Sequence, residues 1–280
     1  MPKGFLFYFT LLNSIPQNNI KIMSSHERAH HDEANNVTYQ RCQFAYEYAV
    51  PFIKGKKVLD IGCGLAYGTS LMANEAAEIT GFDYDEFTIE ANKNRYQDIK
   101  NLNFIHGAVP PLPLGDKSYD VITAFQFIEH IHPRKEFIKE GLRVLKPGGV
   151  LLVTTPNNKK SLARNPFHVH EYTFDEMEKE LKSIGSRLEL SGLNGNKKVN
   201  DYYEANGKFV RAILKWDFLG LHKRLPANVL TAPYNFITNL MRNRLKSEVQ
   251  STTGITTSDF LLQQQNLDEC WDIYARVYKE

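Results

Sequence analysis

The sequence predicts an α/β protein: seven strands in a mostly parallel sheet, with helices on both faces. Three observations lead there. From residue 36 to 193, short apolar runs alternate with stretches of helical period at close intervals, the pattern of repeated strand–helix units. One run, Val58, Leu59 and Ile61, passes straight into the glycine turn Gly62-Cys63-Gly64, as a strand meeting a helix N-terminus does. Near the C-terminus Trp271, Ile273, Ala275 and Val277 alternate with Asp272, Tyr274, Arg276 and Tyr278, the period of a strand with two unlike faces.

Each element follows from local pattern. Phe44, Tyr48 and Phe52 recur at helical spacing, which predicts a helix over 36–53 ended by Gly55. A strand is expected at 57–61, a helix at 69–77, and a short strand at 79–82 that ends at Asp83. A helix at 87–96 and a strand at 102–106 follow. Pro110, Pro111 and Pro113 make a stiff loop, because proline is excluded from helix interiors. Strand four is expected at 119–125, a helix at 133–145, a hard stop at Lys146-Pro-Gly-Gly, and strand five at 150–154. A helix over 174–184 and a strand over 187–193 come next. Residues 194–268 are apolar without strand alternation. Phe209, Ile213, Leu214 and Phe218 mark one helix there; Phe236, Ile237, Leu240 and Leu245 mark another. An insertion of that length between strands suits a functional cap. The expected organisation is therefore a core of residues 23–193 plus 269–280 with a helical insertion at 194–268. Right-handed crossovers would gather the strand-to-helix turns on one sheet edge.

The 280 residues, 42% hydrophobic and 24% charged, are those of an ordinary globular chain, and a net charge of +2 gives no reason to expect a nucleic-acid partner. Cys42, Cys63 and Cys270 are odd in number and widely spaced, which suggests reduced thiols in a cytoplasmic setting and no zinc site. Phe5–Leu12 is apolar but too short to span a bilayer, and no small-residue cleavage site follows it. With Met23 ahead of a polar stretch, residues 1–22 are expected to be poorly ordered or dispensable, and export is disfavoured.

The ligand is indicated by spacing. A dinucleotide fingerprint needs a glycine where this chain has Tyr67. The Asp60-x-Gly62-x-Gly64 pattern instead resembles motif I of the class I S-adenosylmethionine-dependent methyltransferases. Two further segments, Phe127-Ile-Glu-His-Ile and Lys146-Pro-Gly-Gly-Val-Leu-Leu-Val-Thr, resemble that family's ubiquinone/menaquinone-biosynthesis-like branch, the methyltransferase type 11 domain. Arg41-x-x-Phe-Ala and Gly64-x-x-Tyr-Gly are similar to forms found in a subgroup linked to sugar modification. The resemblance implies a Rossmann-like sheet whose last strand is antiparallel, and S-adenosylmethionine as cofactor.

It also implies roles. Gly62 and Gly64, with the main chain of Cys63, would let the cofactor's methionine part approach the backbone. Asp60 would hold its ammonium, directly or through water, although the same carboxylate could simply cap the turn. Asp83 would accept both ribose hydroxyls, unless it caps the next helix. Tyr84 would cover the adenine, with backbone groups near Ala108 and Val109 beside it. Arg41, Tyr67 and Phe125 complete the expected cofactor set. Two positions depart from the family: Ala66 stands where a further glycine is usual, and Ala108 where an acid often is.

Methyl transfer needs alignment more than covalent help, and a base if the acceptor is a hydroxyl. His130, after strand four, and His168, after strand five, are the candidate bases. A set of His168, His170 and Glu171 could hold a metal, but none is assigned. The expected acceptor is a small molecule or glycan intermediate, methylated at oxygen. The alternative is a cofactor-binding protein without catalysis. The sequence does not give the acceptor atom or the oligomeric state.

Overall fold

The computed structural model describes residues 36–184, 187–217, 220–247 and 254–280. Residues 1–22 and Phe218 lie outside that set, as do the side chains of Leu240 and Leu245. The parallel half begins with α1 (Asn36–Ile53), β1 (Lys57–Ile61), α2 (Tyr67–Ala73), β2 (Glu78–Asp83), α3 (Glu86–Arg95) and β3 (Leu102–His106). It continues through β4 (Tyr119–Phe125), α4 (Arg134–Val144) and β5 (Leu145–Pro156). Then come α5 (Phe174–Lys182), β6 (Arg187–Gly195), α6 (Lys197–Leu214), α7 (Leu221–Arg224), α8 (Ala227–Ser247), β7 (Phe260–Gln263) and β8 (Asp272–Tyr278).

The sheet order is β3-β2-β1-β4-β5-β8-β6-β7. Strands β1 to β5 are parallel, and β8 runs antiparallel to both β5 and β6. Strand β1 is paired on both sides, which is why four of its five residues are buried and its sequence is nearly continuous in apolar character. On one face α1 packs Tyr46, Ala49 and Ile53 over Val58, Ile79 and Leu152. On the other, Phe137 and Ile138 of α4 and Phe174 and Met177 of α5 cover Ile61, Ile122 and Leu151. The chain steps outward from β1 to β3, then crosses back to β4. In such a sheet, a crevice opens beyond the carboxyl ends of the two strands at that reversal, β1 and β4.

Two local expectations are corrected. Lys146-Pro-Gly-Gly is not a stop: α4 passes directly into β5, and the irregularity is absorbed as a register shift against Tyr119 and Val121 with Gly148 at φ +76°. The sheet has eight strands, one more than expected. The extra edge strand, β7, is four residues long, too short for its alternation to stand out, and pairs antiparallel with β6. The unlike faces of β8 are both covered from Asp272 to Ala275. The strand lies between β5 and β6, so Asp272 and Tyr274 are as buried as Ile273.

Candidate active site

The glycine turn is held by main-chain bonds and by side chains that reach its backbone. Gly62 and Cys63 N–H groups both donate to the Phe82 carbonyl at the end of β2, at 2.8 and 3.1 Å. Gly62 sits at φ +75°, and a Cβ there would lie 2.4 Å from the Phe127 ring, so only glycine fits. Asn92 Nδ2 and Tyr96 Oη, reaching from α3 and its C-cap, donate to the carbonyls of Gly64 and Leu65. Ala66 takes a left-handed conformation (φ 58°) as the N-cap of α2, at a strain of about 1–2 kcal/mol that glycine would avoid. Cys63 is a buried filler near Gly81 whose amide takes part in the turn.

Asp83 ends β2 with its carboxylate at the turn. Its oxygens accept from Gly64 N–H at 2.9 Å and Asp85 N–H at 3.0 Å. The helix-capping alternative for Asp83 is removed, because Asp85 caps α3 by accepting from the Phe87 and Thr88 amides. Tyr84, next along, exposes 60% of its surface. The loop after β3 is tied to the same point by Gly107 N–H to the Asp83 carbonyl (3.0 Å), which sets exposed Ala108 and half-buried Val109 beside it. His106, unremarked in the sequence, ends β3 opposite Asp83, with Nε2 3.0 Å from the Tyr84 carbonyl oxygen.

Asp60 is a correction. It is fully buried, and its two oxygens accept from Thr69 Oγ1 (2.6 Å) and Thr123 Oγ1 (2.7 Å). Burial pushes its carboxyl up to about 6 against those two bonds. The side chain therefore pins β1 to α2 and β4 and has no surface for direct contact with a ligand. Tyr67 and Phe125 are likewise placed by packing. Tyr67 lies against Tyr39 (4.9 Å between ring centroids) and Tyr46 (5.8 Å), and Phe125 meets Tyr46 edge-on at 4.9 Å.

A second polar group gathers past β4 and β5. Arg41 projects from α1 toward β8, with Nε 3.2 Å from Asp272 Oδ2 and its guanidinium over the Tyr203 ring of α6. It thus faces the strand beyond the insertion, a neighbour the sequence did not suggest. Burial pushes Asp272 up to about 6, opposed by Arg41. Around this ion pair, Asp272 Oδ1 and Tyr203 Oη have no hydrogen-bond partner among the described residues, at about 1–3 kcal/mol per orphaned group.

Glu129 and His130 share a single turn after β4. Glu129 is buried, accepts from Thr155 Oγ1 at 3.0 Å, and is pushed up by burial to about 7. The Phe167 carbonyl lies 3.1 Å from His130 Nδ1, so a neutral ring carries its proton there and keeps Nε2 basic, 4.0 Å from Glu129 Oε1. His168 is engaged at both nitrogens, Nδ1 with Glu171 Oε1 (2.6 Å) and Nε2 with Asn165 Nδ2 (2.9 Å). With Asn165 Oδ1 accepting from Phe167 N–H, the amide nitrogen is the donor to that ring. The donor atoms that converge, within 4.8 Å, are those of Glu129, His130 and His168. His170 instead turns to Glu176 at 3.9 Å, so His168, His170 and Glu171 do not form one set. Glu129 escaped notice in sequence although it lies inside the Phe127–Ile131 motif. Asp272 was visible only as one polar position of an alternating strand.

Residues 59–153 match the family model described as a methyltransferase domain. That segment, which begins just ahead of the glycine turn, is similar to methyltransferase domains. A Mycolicibacterium smegmatis protein named a probable S-adenosylmethionine-dependent methyltransferase is 37% identical to the chain over 159 residues, 55% of this chain and 61% of that one. A Coxiella burnetii ubiquinone biosynthesis O-methyltransferase is 30% identical over 128 residues, 45% of this chain and 55% of that one. The chain spans about three fifths of the length of the first curated relatives it matches. Two solved structures share the chain's fold. The YcgJ protein of Bacillus subtilis aligns with TM-score 0.53 at 18% identity, over 84% of this chain and 98% of that one. The [4+2]-cyclase SpnF aligns with TM-score 0.56 at 17% identity, over 86% and 81%. At these identities the likeness is one of fold. No helix among the described residues is long and apolar enough to cross a membrane.

Proposed function

We propose that the chain binds S-adenosylmethionine at the β1–β4 crevice and transfers its methyl group to an oxygen of a small molecule or glycan intermediate. The observation that carries this reading is the Gly64–Asp83 bond. It joins a bare glycine turn to a carboxylate at the end of the neighbouring strand, where backbone and acid would meet one adenosyl ligand. A carboxylate accepts up to about four hydrogen bonds, so Asp83 could take ribose hydroxyls in addition to its two amides. Gly62 and Gly64 would admit the methionine part, and Tyr84, Ala108 and Val109 would border the adenine. Arg41, with 14% of its side chain exposed, would hold the methionyl carboxylate. The residues present fit the cofactor.

Bound there, the cofactor supplies an activated methyl group. The chain's own part is to orient an acceptor hydroxyl and take its proton. His130 suits that task better than His168, because the Phe167 carbonyl fixes its tautomer with Nε2 as the base, while His168 Nε2 already accepts from Asn165.

Titration with S-adenosylhomocysteine tests the cofactor site. Saturable binding is expected, weakened roughly tenfold or more by Asp83→Ala, since a bond to a charged acceptor contributes about 1.5–3 kcal/mol. Unchanged binding in that variant would remove the ribose role. Methyl transfer to a panel of hydroxylated acceptors should fall about 100-fold or more in His130→Ala and much less in His168→Ala. Binding without transfer to any acceptor would favour the non-catalytic alternative.

A further inference from the structure

We propose that the helical insertion, α6 to α8, is a docking surface for an anionic lipid bilayer, on which the protein lies without crossing it. Charge points there first. Residues 197–247 hold ten lysines and arginines against three acids, whereas the rest of the chain holds 24 basic and 29 acidic residues. The modest overall charge of +2 thus conceals a cationic insertion on an acidic body.

The outward faces give the second observation. On α6 the exposed charged positions are Lys197, Lys198, Asp201, Glu204, Lys208 and Arg211, so bases stand at both ends around two acids, and exposed Lys215 and Trp216, the latter 86% exposed, follow at once. On α8 the exposed stripe is Val229, Ala232, Pro233 and Phe236, with Phe236 at 70% and Val229 at 50%. The opposite side of α8 is engaged, since Leu230 is buried and Tyr234 meets the Phe167 ring. Arg164 donates to the Leu225 carbonyl at 3.1 Å, which joins the loop after β5 to the segment entering α8. From Ala227 to Met241 the sequence carries no charge, and Arg242, Arg244 and Lys246 follow at once.

A helix uncharged from Ala227 to Met241, with an apolar stripe on its solvent side, bases in its last turns and an exposed tryptophan ahead of it, has the composition of an element at the headgroup–acyl boundary. A nucleic acid would use the bases and could stack on Trp216 or Phe236. It gives no reason for an outward Val229–Ala232–Pro233 stripe. No described helix meets the length and apolarity of a membrane span, so the insertion would lie in the interface plane.

Vesicle flotation of the full chain is the test, with phosphatidylcholine alone and with phosphatidylcholine mixed with phosphatidylglycerol, at low and at physiological salt. At least about tenfold more protein should float with the anionic vesicles, less so as salt rises, and Trp216 emission should shift to the blue. The pair Trp216→Ser and Phe236→Ser should abolish flotation with every base intact, as should Lys208→Glu with Lys215→Glu. An unchanged thermal midpoint would show that these exposed substitutions leave the fold whole. No preference for the anionic vesicles overturns the proposal. So does polyuridylate binding that exceeds vesicle binding and survives the Trp216→Ser, Phe236→Ser pair, which would assign the basic surface to a phosphate backbone.

Discussion

The two halves of this sheet solve different problems. From β1 to β3 the chain repeats one strand–helix unit, and the turns at the end of β2 are tied by main-chain bonds. Gly62, Cys63 and Gly107 all donate to carbonyls at the end of β2. From β6 to β8 the strands run in both directions, and more than sixty residues separate β6 from β7. There the contacts are made by side chains: Arg41 with Asp272, Trp271 Nε1 with Asn200, and Asn196 with Asp259. A site built from backbone belongs to the fold and suits a ligand shared by many proteins. One built from side chains on an insertion can differ from chain to chain, as an acceptor site must.

That contrast can be broken first at Gly62. Gly62→Val should weaken S-adenosylhomocysteine binding by about 100-fold or more, because a side chain there requires positive φ and occupies the place of the Phe127 ring. Near-normal binding, measured by calorimetry, would show that the turn is not the ligand's seat. Asp60→Asn probes the same half through stability. Asp60 has a folded-state pKa of about 6 against an ordinary value of 3.8. Its contribution is fully present below about 4 and is lost as pH rises through about 6. Urea midpoints should therefore show the wild type losing about 2–3 kcal/mol more than the variant between pH 4 and 7. Equal slopes would remove the buried-carboxylate account. The smallest effect belongs to the other half. Asn196 caps α6 by accepting from Val199 N–H, so Asn196→Ala should cost about 1 kcal/mol in denaturant and leave cofactor binding unchanged. Loss of binding in that variant would mean the halves are coupled.

The same division explains what was legible in the sequence. Strands β1, β3 and β4 and helix α1 stand where the periodicity put them, because each is a buried element with continuous or alternating apolar residues and a clear stop. Asp83 could be read from its place at a strand end. Asp60 could not be read fully. The motif marks a carboxylate, while the threonines that enclose it come nine and sixty-three residues later. The pairing of Arg41 with Asp272 spans nearly the whole chain and leaves no local signal. His130 and His168 looked equivalent until the partners of each ring nitrogen were known, and Glu129 passed unnoticed between motif residues. Lys146-Pro-Gly-Gly misled because the same residues serve a turn or a strand irregularity, and only the neighbouring strand decides.

Gly195 and Phe260 face each other in the antiparallel pairing of β6 with β7. The polypeptide therefore leaves the sheet and returns to it at a single rung, like a long hairpin loop. Since closing a longer loop costs only about 0.6 kcal/mol per doubling of its length, whatever stands between those two residues could be exchanged for another module without re-threading a strand. That rung is a natural graft point for giving the same sheet a new clientele.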